Sequence, residues 1–224
     1  MKIFTIFVSL VAAFSLLLNF KLLTDRSTPK SAQFSVSEVI DGDTFTIENE
    51  GETRRVKLIG VNTPETEKCL SNEAKDKLSD LIADKEVVLE DQFSDPYGRI
   101  MANVFVDGTY VNKEMLHLGL GRMDYYENPH REELKVAYGE ARSNKLGIYS
   151  STCLSLTPPD NPKTGQLCTV KGNVDDNTAK KIYFLLDCNN YSQVTIDLST
   201  DDQWFCTEEE AVEAGFSRSK TCTN

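Results

Sequence analysis

Three short segments of this chain concentrate residues able to do chemistry. Asp41-Gly42-Asp43-Thr44 sets two carboxylates on either side of a glycine at a strand junction. Val61-Asn62-Thr63-Pro64-Glu65 ends a strand-like run with an oxygen-rich loop and another carboxylate. Asp95-Pro96-Tyr97-Gly98-Arg99 is a tight turn that delivers an arginine at the start of a strand. Taken singly, each has a plain structural meaning: a hairpin turn, a strand end followed by a helix cap, and a surface turn with a solvated arginine. Taken together they hold complementary chemistry. Carboxylate and carbonyl oxygens suit a hard cation such as Ca²⁺. A carboxylate beside such a cation can act as general base on a water. An arginine can grip phosphate oxygens in pairs and stabilise the charge that develops in phosphoryl transfer. Cation, base and guanidinium form a minimal kit for phosphodiester hydrolysis.

These segments need a scaffold. Three strand-like runs, 34–40, 43–49 and 53–61, are separated by turn residues at Asp41-Gly42 and at 49–52. A helical stretch follows, with Leu70, Ala74, Leu78, Leu81 and Ile82 on one face. Two further strands fit 86–91 and 99–106, a second helix fits 111–118, and a third is expected to begin at Pro129, a favoured first helical position. Its apolar face carries Leu134, Ala137 and Ala141. Five strands interrupted by a helix, with three helices in all, predict an α+β domain built on a small closed five-stranded β-barrel of the OB type.

Read in order, VIDGDTFTI (39–47), VKLIGVNTPET (56–66) and DPYGR (95–99) resemble the motifs of the thermonuclease family, the staphylococcal-nuclease-like Ca²⁺-dependent nucleases. Residues 111–126 and 141–150 resemble that family's C-terminal helices, so the likeness covers roughly 34–150. The resemblance implies an OB-fold enzyme that cleaves DNA and RNA to 3′-phosphorylated fragments. It implies Asp43 as the principal Ca²⁺ carboxylate, Asp41 in support, and Asn62 and the Thr63 carbonyl as further ligands. Glu65 would orient or deprotonate the attacking water, and Arg99 would bind the scissile phosphate. Tyr97, Tyr125 and Tyr126 would contact the nucleotide, where a tyrosine ring can stack on any base. Two positions depart from the family pattern. Its second catalytic arginine falls at Lys57, which keeps the charge but loses the bidentate fork. Its metal-loop aspartate falls at Asn62, which removes one negative charge. Both departures predict weaker Ca²⁺ binding and slower turnover. They also support an alternative, a weakened nuclease-like domain that binds nucleic acid or a surface without cutting.

Residues 155–164 hold three prolines, and four of the six cysteines follow. The expected organisation is residues 1–23 as signal peptide or membrane anchor, 24–32 and 154–165 as linkers, 33–153 as the nuclease-like domain and 166–224 as a small cysteine-rich module. The patterns K-G-N, C-x-x-Y, W-F-C and E-E-A-x-x-A-G-F in that last segment resemble the sunset modules that follow such nuclease domains. So few aromatic residues build only a small core, which needs staples. An even cysteine count in an exported chain favours disulfides, and six cysteines allow 15 connectivities. We expect Cys188–Cys206 and Cys168–Cys222, which leaves Cys69 with Cys153. The rival is a metal site using some of the four later cysteines, although no C-x-x-C pair occurs. Thr207 to Glu210 reads as a helix capping box.

Residues 3–20 are almost wholly apolar between Lys2 and Lys21, the pattern of an export signal or an anchor. The chain is therefore expected outside the cytoplasm: secreted, periplasmic or anchored facing outward. It is expected to be a monomer without an obligate protein partner. A cell-surface interaction role for the C-terminal region is a third reading. With only two histidines, a multi-His metal site is excluded. The net charge is −11, and residues 33–150 alone carry 23 acids against 14 bases. That argues against a protein that coats nucleic acid, which needs a basic face. The cations expected at a phosphate are Lys57 and Arg99, with Arg122 as a possible neighbour.

Overall fold

The computed structural model describes residues 32–49, 51–124, 126–175 and 178–223. The apolar segment 3–20 and Tyr125 lie outside the described residues. Among the described residues, no helix is long and apolar enough to cross a membrane.

Five strands close into a barrel: β1 (Gln33–Val39), β2 (Thr44–Asn49), β3 (Glu52–Leu58), β4 (Glu86–Ser94) and β5 (Ile100–Val106). β1, β2 and β3 form an antiparallel meander, and β4 pairs with both β1 and β5. Closure comes from the parallel pairing of β3 with β5, Val56 opposite Ile100 and Leu58 opposite Ala102. Phe45, Ile47, Val56, Leu58 and Val104 fill the interior and are fully buried. Closing the sheet removes its edges, which otherwise expose unpaired backbone groups. The expected OB-type barrel is therefore present.

Three helices cover the barrel: α1 (Ser71–Ile82), α2 (Val111–His117) and α3 (Arg131–Ser143). α1 buries Ala74, Leu78 and Ile82, spaced at four residues so that they share one face. α3 begins at Arg131 rather than Pro129. The Asn128 side chain accepts the His130 N–H at 2.9 Å, so residues 128–130 form a side-chain-closed turn ahead of the first helical residue. The run 53–61 also proves shorter as a strand. It ends at Leu58, because Gly60 takes φ +74° and redirects the chain. Val61 and Asn62 then pair with Met123 and Arg122.

A second sheet occupies the C-terminal region, in the order β8 (Gln203–Phe205), β6 (Val170–Val174), β7 (Lys181–Phe184), β9 (Ser217–Arg218). Its core is Val170, Tyr183, Phe205, Ala211 and Phe216. The helix α4 (Glu208–Glu213) is capped by Thr207, whose hydroxyl accepts the Glu210 N–H. Glu210 reaches back to the Cys206 N–H, which completes a reciprocal cap.

All six cysteines are paired, so the alternative thiolate metal site is excluded. Cys69–Cys153 is present, but the expected Cys188–Cys206 and Cys168–Cys222 pairs are not. Cys168 bonds Cys206, and Cys188 bonds Cys222. Strand register decides this. Val170 lies opposite Phe205 on β6 and β8, so Cys168 and Cys206 leave the same end of that ladder. Cys188 and Cys222 meet at their own antiparallel bridge.

Residues 33–224 form one compact unit. Leu154–Ser155 pairs with Ile196–Asp197, and Trp204 donates to the Ser155 hydroxyl at 3.1 Å. The Cys69 N–H donates to Leu198 O, and the Leu198 N–H to Cys153 O, both at 2.9 Å. The cysteine-rich region is thus seated on the barrel beside the loop that carries Glu65.

Candidate active site

Asp43 stands immediately before β2 and is only 3% exposed. A buried carboxylate needs partners, and Asp43 has three. Its Oδ1 accepts from the Thr44 hydroxyl at 2.8 Å. Its Oδ2 accepts from the Thr63 N–H at 3.0 Å and lies 2.5 Å from the Lys57 Nζ. One carboxylate thereby joins the first motif to the second, 20 residues away. Asp41 accepts the Asp43 N–H at 3.0 Å and turns the backbone between them. Burial and the adjacent Asp43 charge push the Asp41 carboxyl above its ordinary value, against the Asp43 N–H and Lys57, which act to lower it. Gly42 is required by space. A Cβ there would lie 2.6 Å from the Ala74 Cβ and 2.8 Å from the Thr63 hydroxyl. Only a bare backbone lets the turn press against α1 and the second motif.

The loop after β3 is fixed from beneath by Asn112, which is fully buried. Its amide donates to the carbonyls of Ile59 and Ala102 and accepts the Val104 N–H. Beyond this clamp, Asn62 and Glu65 are exposed while Thr63 and Pro64 are buried. Asn62, Thr63 and Glu65 border a cleft of about 780 Å³.

The third motif is organised by Asp95, itself buried. It accepts the N–H groups of Tyr97 and Arg99 at 2.9 Å and the Arg99 Nε at 2.7 Å. Burial acts to raise its pKa, but these bonds outweigh it and hold Asp95 below the ordinary carboxylate value. The bond to Nε restrains the guanidinium plane, and the terminal nitrogens carry four further N–H donors. Tyr97 is 85% exposed, with the Arg99 guanidinium 5.5 Å from its ring centre. Tyr126 is also exposed and meets Phe93 at 6.1 Å. The parallel β3–β5 pairing sets Lys57 opposite Met101, so Arg99 enters two residues before the Lys57 row.

The structure therefore brings Asp41, Asp43, Lys57 and Thr63 into one hydrogen-bonded set. Asn62 and Glu65 stand beside it on the cleft, and Tyr97 and Arg99 on the neighbouring strand's turn. The donor set fits a hard divalent cation. Asp41, Asp43, the Thr63 carbonyl and the Asn62 amide offer only oxygen. Burial and the repulsion between Asp41 and Asp43 raise Asp41, and a bound cation would offset both. Lys57 already meets part of that need.

Arg122, expected as a possible phosphate neighbour, borders the same cleft as Glu65 but is held by the C-terminal region. Its guanidinium is committed to Asp197 at 2.5 Å and Ser199 at 2.7 Å. Sequence reasoning also missed the roles of Thr44 and Asp95, whose signal was present within the motifs. It missed Asn112 and the cleft residues Ser199, Thr200 and Asp201 for a different reason: no local pattern marks them.

A family model described as "Staphylococcal nuclease homologue" matches residues 55–151. The chain is 30% identical over 169 residues to a thermonuclease of Staphylococcus hyicus, covering 67% of this chain and all of that protein. It is 33% identical over 132 residues to a thermonuclease of Staphylococcus intermedius, covering 54% of this chain and 77% of that protein. It is also 30% identical over 139 residues to endonuclease YncB of Bacillus subtilis, covering 57% of this chain and 66% of that protein.

Proposed function

The chain belongs to the family of staphylococcal nuclease homologues and is a nuclease, and from that premise we propose an exported, Ca²⁺-dependent enzyme that hydrolyses phosphodiester bonds of DNA and RNA. The observation that carries this reading is the buried Asp43 carboxylate, bonded at once to Thr44, Lys57 and Thr63. It joins the acidic turn to the loop that bears Glu65.

In this reading Asp43 and Asp41 hold the cation, with the Asn62 amide and the Thr63 carbonyl as further oxygens. Bound there, the ion supplies positive charge to the phosphate oxygens. Glu65 accepts a proton from the attacking water, and its exposure on the cleft supports that access. Arg99, oriented by Asp95, binds the phosphate and stabilises the added charge. Lys57 contributes charge without a fork. The 5′-oxygen departs and the 3′-end keeps the phosphate. Tyr97, Tyr126 and Tyr125 contact bases; the exposure of Tyr97 and Tyr126 supports this. Three disulfides support an oxidising compartment. Residues 33–153 act as the nuclease domain and 166–224 as its companion module, with 1–23 as signal peptide or membrane anchor.

The test is cleavage of single-stranded DNA by the purified chain, with Ca²⁺ or with chelator. Glu65→Gln and Arg99→Ala should each lower kcat by about 10²–10⁴-fold. Cleavage that survives chelation, or is unchanged in both variants, would falsify the mechanism. Lys57→Arg with Asn62→Asp should raise Ca²⁺ affinity and turnover. Fragments whose 3′-ends are blocked until treated with phosphatase identify the side of cleavage.

A further inference from the structure

The C-terminal segment 151–224 holds six Lys and Arg residues against 11 Asp and Glu. Four of those six cations converge on one cavity of about 620 Å³. Lys180 and Lys181 line it at the start of β7, and Arg218 and Lys220 on β9 and just beyond it, beside the hydroxyl residues Ser217 and Ser219. The parallel pairing of β7 with β9, Ile182 opposite Ser217, sets the two pairs side by side. Among the described residues, no acid lines the cavity.

Two of the four are committed within the protein. Lys181 donates to the Ala214 carbonyl at 3.4 Å, and Arg218 lies 3.4 Å from Asp187 and donates to the Thr223 carbonyl at 2.9 Å. Lys180 and Lys220 are exposed, and among the described residues no ion pair engages them. Like charges gathered in this way repel one another, and an anion offsets that repulsion. The cavity also adjoins the cleft that carries Glu65, because Ala179 borders both. Asp201 of that cleft is held below its ordinary carboxylate value by Lys68 and, to a smaller degree, by the charge of Lys181. The cleft's own Lys68 and Arg122 are paired with Asp201 and Asp197. Cations free to meet a phosphate are offered by the adjoining cavity instead.

Resting on the nuclease reading above, we propose that this cavity is an exosite for the phosphate backbone of the nucleic-acid substrate, holding through Lys180 and Lys220 the phosphates that lie beyond the cleft. The C-terminal region then binds the chain that the barrel cuts. A nucleic-acid strand is a row of regularly repeated charges, so one that passes Glu65 brings further phosphates to the rim at Ala179. A broad anionic surface such as a membrane cannot enter the cleft and the cavity together. Lysine suits this task, because a flexible point charge follows a backbone without reading its sequence.

The test uses the full chain and single-stranded oligonucleotides of about 4 and about 20 nucleotides, the first short enough for one small site and the second long enough for two. Binding is read by fluorescence anisotropy in a Glu65→Gln background shared by all variants, and cleavage is read as kcat and KM in the Glu65 enzyme. Lys180→Gln with Lys220→Gln should weaken the longer strand by about tenfold or more near 0.1 M salt. The slope of log affinity against log salt should fall by about 1.4, the share of two lysine contacts to a single strand. Affinity for the shorter strand and kcat should be unchanged. Lys135→Gln with Lys163→Gln removes the same charge away from the cavity and should change none of these values. Equal weakening by that control would mark an effect of net charge and overturn the proposal. So would unchanged affinity for the longer strand when Lys180 and Lys220 are replaced. Loss of binding to phosphatidylglycerol vesicles in that variant, with the longer strand still bound as before, also overturns it and makes the cavity a contact for an anionic surface. Absence of all cleavage breaks the nuclease reading alone, because anisotropy still reports whether the cavity holds the strand.

Discussion

The barrel and the cysteine-rich region reach stability by different routes. The barrel closes its sheet and buries a core drawn from β2 to β5 and from three helices, with Phe45, Ile47, Leu78 and Met115 fully covered and the half-buried Phe34, Val36 and Val39 of β1 packed against it. The C-terminal region has a core of five residues around a four-stranded sheet. It compensates with the Cys168–Cys206 and Cys188–Cys222 bonds and with docking onto the barrel. It even buries a lysine. Lys171 donates to the carbonyls of Tyr191 and Val194 and lies 4.2 Å from the Tyr191 ring centre, and burial lowers its pKa.

The comparison can be broken at several points. Phe45→Ala should cost about 3–5 kcal/mol, seen as a lower urea midpoint by far-UV circular dichroism. Loss of a disulfide should act locally. Cys168→Ser with Cys206→Ser should remove about 2–4 kcal/mol from the transition monitored by Trp204, the only tryptophan. The barrel transition should move far less. Equal shifts in both transitions would show that the two regions share one stabilising core. Gly42→Ala should cost about 1–3 kcal/mol by crowding Ala74 and Thr63. It should also lower cleavage by displacing Asp43, with Trp204 fluorescence unchanged.

The smallest effect concerns acid, and two buried aspartates, one from each region, should respond with opposite sign. Asp95 in the barrel has a folded pKa below its ordinary 3.8. Its contribution is therefore fully present above pH 3.8 and is lost as pH falls through the lower folded value. Asp202, in the C-terminal region, is raised by burial despite accepting from Val174, Asp197 and Asn173. Its contribution is fully present below 3.8 and is lost as pH rises through the higher folded value. Urea midpoints measured from pH 6 to pH 3 check this. Asp202→Asn should flatten the gain on mild acidification, and Asp95→Asn the loss below pH 4.

Much of the barrel was legible because each element carries its own period. The alternation in β2, the four-residue spacing in α1 and the turn residues at Asp41-Gly42 are local signals, and local backbone sterics enforce them. Boundaries shifted where a side chain or a glycine intervened: Asn128 delayed α3, and Gly60 ended β3 early. Disulfide pairing was not legible, because it depends on which strands become neighbours. Cys168 found Cys206 only because β6 lies beside β8.

The candidate site divides in the same way. By itself the sequence determined the chemical inventory: the acidic turn, the oxygen-rich loop with Glu65, the Asp-Pro-Tyr-Gly-Arg turn, and the substitutions Lys57 and Asn62. Those are residue types at short spacings, which survive in a one-dimensional reading. The tertiary structure alone decided that Asp43 bonds Thr63 and Lys57, that Asp95 rather than solvent holds Arg99, and that Arg122 belongs to Asp197. It alone brought Asp201 to the cleft of Glu65, 136 residues earlier in the chain. Side-chain charge and hydrogen bonds act over a few ångströms, and only the folded chain makes those ångströms independent of sequence distance.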